Sequence, residues 1–158
     1  MFLQFGKEKL LECAKECGVD GLIIADLPPE AEPEFFIQAK ECELCTVLLA
    51  SELTTENRLL EITRVSTGFI YYVPQLGITG LDLNINEAVR ERIKRIKSLT
   101  TTPVCIGIGV KTREDVKILC EDADGVIVGT RIVDFINTHR DEENIAQQVG
   151  VLIKEIIP

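Results

Sequence analysis

The 158 residues include 17 Lys and Arg against 26 Asp and Glu, a formal charge of −9, with 46% apolar and 27% charged residues. Such a composition belongs to a folded globular chain, not to a disordered or fibrous one. The acidic balance without a basic run argues against nucleic-acid binding, and apolar runs of five or six residues are too short to cross a membrane.

In chain order, Lys7 to Cys17 predicts a helix with Leu10, Ala14 and Cys17 on one face, stopped at Gly18. Gly21 to Asp26 reads as a strand, and Pro33 opens a helix carrying Phe35, Phe36 and Ala39. Cys45 to Ala50 is the second strand, followed by a helix over Glu56 to Val65. Gly68 to Val73 is the third strand, and Ile85, Val89, Ile93 and Ile96 then recur at helical spacing. Pro103 to Ile108 is the fourth strand, and Thr112 with Asp115 approximates a capping box ahead of Val116, Leu119 and Cys120. Gly125 to Gly129 is the fifth strand, with a short helix over Arg131 to Ile136 and a long one over Glu143 to Ile157.

The strand runs are almost wholly apolar, as expected of strands buried on both faces. Their alternation with helices means βαβ units and a parallel sheet. No linker divides the chain, so residues 1–158 are expected to form a single domain. Two α/β architectures fit: an open doubly wound sheet of flavodoxin type, favoured by the strand count, and part of a (β/α)8 barrel, favoured by the loops.

Six cysteines raise metal or redox chemistry, with Cys42 and Cys45 in a C-x-x-C and Cys13 and Cys17 at i,i+4. Two unlinked pairs and one histidine, His139, make a poor zinc set, so buried structural thiols are the expectation. Without a basic, apolar leader at residues 1–5, the reducing cytoplasm is the expected compartment.

Ligands of either architecture sit beyond the C-terminal strand ends. There the sequence places Gly107-Ile108-Gly109 after the fourth strand and Gly129-Thr130 before the short helix. Backbone without Cβ lets a phosphate approach, and a helix N-terminus offers amides and a positive dipole end. The plainer alternative is that these glycines only turn the chain. The loop from Pro74 to Asn84 is the longest strand-to-helix connection, and Gly77 and Gly80 suit a lid. Tyr71 and Tyr72 must point to opposite faces, in an order the sequence leaves open. Asp26 ends a strand on the ligand side, where it equally suits a turn before Pro28-Pro29. Glu52 reads as a solvated loop residue and His139 as exposed. No nucleophilic triad, P-loop or metal cluster is visible, and no cofactor is called for.

Residues 18–30 (GVDGLIIADLPPE), Gly68 to Val73 (GFIYYV), Gly77-Ile78-Thr79-Gly80, residues 103–110 (PVCIGIGV) and 123–130 (ADGVIVGT) together resemble the tryptophan synthase alpha chain over nearly the whole sequence. The resemblance implies a (β/α)8 barrel that cleaves indole-3-glycerol phosphate to indole and glyceraldehyde 3-phosphate. It further implies transfer of the indole to a pyridoxal-phosphate beta chain. The five strands here would be the fourth to eighth, making a partial barrel without the three N-terminal βα units. Gly80, Gly109, Gly129 and Thr130 would hold the phosphate, while Ala25, Leu49, Tyr71, Thr79 and Ile108 would line the indole-glycerol pocket. Ile108 stands where the family commonly has Phe, Thr130 where Ser is usual, and Ser51-Glu52-Leu53 replaces a Pro-Thr stretch.

The family's two catalytic carboxylates, a Glu on the second strand and an Asp in the loop after it, fall upstream of Met1 in this resemblance, so no residue here inherits either role. Positioned acid–base groups contribute roughly 10²–10⁴-fold each. The 158 residues alone are therefore expected to bind weakly and catalyse little. Five of eight strands would leave two open edges, so self-association or poor solubility is expected unless the other units are supplied. Competing expectations are a non-catalytic remnant that binds a phosphate or the beta chain, another phosphate-binding barrel enzyme, and a flavodoxin-like module.

Overall fold

The computed structural model describes residues 2–74 and 86–157. Five strands pair in parallel: β1 (Gly21–Ile23), β2 (Cys45–Ala50), β3 (Ile70–Tyr72), β4 (Val104–Gly107) and β5 (Gly125–Ile127). Their order across the sheet is β1-β2-β3-β4-β5. A flavodoxin-type sheet reverses its winding, whereas a barrel winds one way. The sequential order therefore removes the doubly wound alternative and leaves five successive strands of a partial (β/α)8 barrel.

The helices are α1 (Phe2–Phe5), α2 (Lys7–Glu16), α3 (Pro33–Glu41), α4 (Glu56–Val65), α5 (Glu87–Lys97), α6 (Arg113–Leu119), α7 (Thr130–His139) and α8 (Ile145–Ile156). Local chemistry explains their ends. After α2, Gly18 takes the left-handed conformation at φ 72°, and the amides of Gly18 and Val19 donate to Lys15 and Ala14 carbonyls at 3.1 and 2.9 Å. Pro33 occupies the first turn of α3. Asn86 caps α5 by accepting from the Val89 amide at 3.0 Å. Thr112 and Asp115 close a reciprocal capping box on α6.

Several elements depart from their expected lengths. β1 stops at Ile23, because Ile24 to Leu27 turns away toward two prolines that have no amide to donate. Helix α7 runs to His139 instead of ending at Ile136. Its last turn is held by Thr138 Oγ1 donating to the Asp134 carbonyl at 2.8 Å, and by the His139 ring stacked 4.2 Å from Phe135. His139 is thus half-buried, not exposed. Ile85, expected on the α5 stripe, lies outside the described residues.

The helix-facing side of the sheet forms the main core. Leu48, Ala50, Ile70, Tyr72, Val104 and Ile106 alternate along β2–β4 and cluster with Leu59 and Ile62 of α4 and with Ile93 and Ile96 of α5. Fully burying an aliphatic or aromatic side chain of this size stabilises by about 1.5–3 kcal/mol. A second cluster joins Leu11 and Ala14 of α2 to Phe35 and Ala39 of α3, and Phe36 packs against both clusters.

The opposite, inner face is partly open, which corrects the expectation of strands buried on both sides. Ile23 is 53% exposed, Cys45 and Val73 are exposed, and Tyr71 is half-buried. The thiols follow the same correction: Cys17, Cys45 and Cys120 are exposed and Cys13, Cys42 and Cys105 half-buried. Cys17 and Cys120 are C-cap residues at helix ends, and Cys45 sits on the open face.

The basic residues of α5 are tied to acidic neighbours. Arg90 pairs with Glu121 and Asp122, Arg95 with Glu56 at 2.8 Å, and Lys97 with Asp124 at 2.7 Å. These pairs bind α5 to α4 and to the α6–β5 connection.

Candidate functional site

At the C-terminal strand ends the register brings Leu49 and Tyr71 together on the inner face, next to a cavity that reaches toward α4. Ala25, Asp26 and Leu49 line that cavity of about 160 Å³, and Leu48 with Arg58 and Ile62 of α4 closes its helix side. Leu49 is the register partner of Tyr71 in β3. The Tyr71 ring lies over Gly107 of β4, close enough that an added Cβ would stand 2.7 Å from Cζ. Gly107 is in turn the partner of Ile127 in β5. Gly109 and Gly129 each follow two residues later, beyond adjoining strand ends. The structure therefore groups Ala25, Leu49 and Tyr71, and sets Gly109, Gly129 and Thr130 beyond the ends of β4 and β5.

The two exposed glycines bear on the turn alternative. Neither Gly109 nor Gly129 has a positive φ, and an added Cβ at either would meet nothing within 4 Å. Neither backbone conformation nor internal packing demands glycine there. Space is kept clear beside the main chain. Gly129 is also the N-cap of α7, with no side-chain cap, and Thr130 is its first residue. The first-turn amides and the dipole of this ten-residue helix favour an anion at that end.

Ile108 lies differently. It is 8% exposed and belongs to the helix-side core with Val110 and Val116. Alternation explains this, since Gly107 and Gly109 face inward and the residue between them faces the helices. Thr79 and Gly80 lie outside the described residues, as does the expected lid from Gln75 to Asn84.

The alternation also resolves the tyrosines. Tyr72 is fully buried among the helices, and its hydroxyl donates to Glu52 Oε1 at 2.9 Å. Burial, then this hydrogen bond, pushes the Tyr72 phenol far above its ordinary range. Glu52 is therefore a partner of the core and not the solvated loop residue expected. Next to it, Arg92 of α5 donates to the Thr54 carbonyl and to Glu56 Oε1. The loop after β2 is thus fixed from beneath by Tyr72 and from the side by Arg92. Across the cavity Arg58 pairs with Glu30, which ties α4 to the loop after β1. Sequence reasoning missed this framework. Its only signal was a carboxylate two residues beyond a strand, and it needed the Ala50–Tyr72 register to be read.

Asp26 is exposed at the cavity. The strand ends thus offer apolar and aromatic walls, a carboxylate at the β1 end and an amide-rich, side-chain-free end at β4 and β5.

The sequence matches the family model described as tryptophan synthase alpha chain over residues 1–156. The tryptophan synthase A-subunit of the hyperthermophile Pyrococcus furiosus superposes with a TM-score of 0.82 at 32% identity, covering 98% of this chain and 62% of its own. A tryptophan synthase complex from Pyrococcus furiosus gives 0.81 at 31% identity, covering 98% and 61%. A protein from Aquifex aeolicus VF5 gives 0.79 at 27% identity, covering 98% and 56%. The chain thus spans less than two thirds of the length of these relatives. Family match, sequential parallel strands and superposition agree, and the chain belongs to the tryptophan synthase alpha chain family.

Proposed function

We propose that this chain acts in tryptophan biosynthesis as the substrate-holding part of an alpha-type lyase, one incomplete barrel domain over residues 1–158. The reaction is the retro-aldol cleavage of indole-3-glycerol phosphate to indole and glyceraldehyde 3-phosphate. The observation that carries the reading is the row of strand ends from Ala25 through Leu49 and Tyr71 to the cleared space at Gly109 and Gly129. The indole rests against Leu49 and Tyr71. The phosphate sits on the Gly109 amide and at the α7 terminus, at Gly129 and the Thr130 hydroxyl; by the family resemblance Gly80 joins this phosphate site and Thr79 the indole-glycerol pocket. The partner is a tryptophan synthase beta chain, and the compartment is the cytoplasm.

The cleavage needs a proton delivered to the indole ring and another removed from the glycerol hydroxyl. No residue of this sequence corresponds to the family's two catalytic carboxylates. A phosphate cradle binds substrate and transition state about equally, which gives affinity without turnover. The 158 residues alone hold substrate and do not cleave it.

The test is titration of the purified chain with indole-3-glycerol phosphate, followed by tyrosine emission and by indole release. Saturable binding that weakens tenfold or more in Gly129→Glu, without indole release, is expected. Binding indifferent to Gly129→Glu overturns the phosphate assignment, and indole release overturns the inactivity. A second reading is a non-catalytic binder of the beta chain. Stimulation of a beta chain without substrate binding would select it.

A further inference from the structure

Neighbouring helices α3 and α4 belong to different clusters. Leu11 and Ala14 of α2 pack with Phe35 and Ala39 of α3, whereas Leu59 and Ile62 of α4 join the main core on β2–β4. The seam between the two clusters is bridged by Phe36, which packs against both. Beside Phe36 the seam stays open as a mostly apolar groove of about 630 Å³ between α3 and α4. Phe36 and Val65 are half-buried in it, and Ile37 on its α3 side is 60% exposed. The groove lies in the helix layer and shares no lining residue with the cavity at Ala25 and Leu49.

Four charged side chains line the groove: Glu30, Lys40, Glu61 and Arg64. Glu30 is paired with Arg58, and Glu61 with Arg64 at 2.9 Å. The Lys40 ammonium is left without an ion-pair partner among the described residues. Apolar clefts of about 300–1,000 Å³ with a few placed polar groups are of the size that holds a small molecule. We infer that the groove between α3 and α4 binds a linear aliphatic monocarboxylate, its chain along Phe36, Ile37 and Val65 and its carboxylate at Lys40. Three observations choose that chemistry. The lining is mostly apolar, so an apolar body gains by leaving water there. One unpaired cation calls for one negative charge, and a phosphate monoester, at about −1.5 to −2, would be repelled by Glu30 and Glu61. The α3 lining runs from Pro33 to Lys40, about 10 Å of helix, which suits an extended chain better than a compact ring. Such a site is independent of the proposed lyase reaction.

The experiment is calorimetric titration of the purified chain with sodium decanoate. Saturable binding of one decanoate per chain is expected. Lys40→Gln should weaken it about threefold or more, the scale of an exposed ion pair. Ile37→Asp, which brings a like charge to the groove wall, should weaken it tenfold or more. Both residues are exposed, so both variants should keep the far-UV dichroism of the parent chain. Lys15→Gln makes the same charge change on α2, away from the groove, and should leave the affinity unchanged. Decyl phosphate should bind more weakly than decanoate. Absence of saturable binding overturns the inference. So does binding indifferent to Lys40→Gln or to Ile37→Asp, which would put decanoate on another apolar surface. An equal loss in Lys15→Gln overturns it too, by making the effect one of net charge. Tighter binding of decyl phosphate than of decanoate overturns the choice of a monocarboxylate.

Discussion

The ring of Tyr71 occupies the volume that a side chain at residue 107 would need, with its hydroxyl oxygen 2.5 Å from the position of an added Cβ. Gly107 is therefore required by the ring above it and not by a turn. Gly107→Ala displaces the far end of a half-buried side chain, at a cost of about 1 kcal/mol, or a few degrees in Tm. The sequence has two tyrosines and no tryptophan, so tyrosine spectroscopy reports these two rings alone. In a Tyr72→Phe background, Gly107→Ala should change the emission and near-UV dichroism of Tyr71 while far-UV dichroism is kept. An unchanged Tyr71 signal would contradict the contact between the Tyr71 ring and residue 107.

The hydrogen bond from Tyr72 to Glu52 joins core and loop. Tyr72→Phe deletes a bond to a charged acceptor and should destabilise by about 1.5–3 kcal/mol in urea unfolding. Tyr72→Ala opens a cavity as well and should cost about 3–5 kcal/mol. The raised phenol pKa has a sign. The neutral form is favoured by folding, so its contribution is fully present below the ordinary value of 10.0 and is lost as pH rises through the higher folded value. In a Tyr71→Phe background, absorbance titration above pH 10 should therefore show Tyr72 ionising only as the chain unfolds. Ionisation of Tyr72 in the folded chain would contradict its burial.

Much of this architecture is legible from short-range pattern. The expected bounds of β2 and α4 coincide with the observed ones, because the CTVLLA run and the helical stripe of Leu59, Ile62 and Val65 are self-contained signals. What is not legible depends on register or cover. The order of Tyr71 and Tyr72, the inward place of Gly107, and the reach of Glu52 to Tyr72 all follow from which residues pair across strands. The thiols depart from the expected burial for a related reason. Cys45 lies in an apolar run, but exposure is set by what covers the inner face, and no local pattern encodes that.

Two aspartates give the fold a defined acid response. Burial works to raise the Asp124 pKa, but the Lys97 ammonium and the Val104 amide outweigh it and hold the carboxyl below its ordinary value. Burial likewise works to raise the Asp115 pKa, and the amides of Lys111 and Thr112 outweigh it and hold the carboxyl below its ordinary value. For groups lowered by folding, the stability is present above the ordinary value of 3.8 and is lost as pH falls through the depressed folded values. Urea midpoints should thus hold steady down to about pH 4 and fall below it. Asp124→Asn and Asp115→Asn should each flatten that fall. A midpoint that drops with the same steepness in both variants would place the acid sensitivity elsewhere.

Helices α2 and α3 end in the same way with different residues. Each carries a left-handed residue after its C-cap, Gly18 at φ 72° and Glu43 at φ 61°. The next amide donates back to the helix at 2.9 Å in both cases, Val19 to Ala14 and Leu44 to Ala39. Glycine enters this conformation freely, whereas an L side chain pays roughly 1–2 kcal/mol. Part of the relief is offset by the greater unfolded-state freedom of glycine, so Glu43→Gly should stabilise by about 0.5–1 kcal/mol. Gly18→Ala should destabilise by a similar or larger amount, about 1 kcal/mol. Because Glu43→Gly also removes one negative charge from a chain at −9, Glu43→Gln separates the causes: it removes the charge and keeps the strain. Urea midpoints should rise for Glu43→Gly well beyond any rise for Glu43→Gln, with unchanged m-values. Equal rises would assign the gain to charge and leave the backbone at residue 43 unstrained.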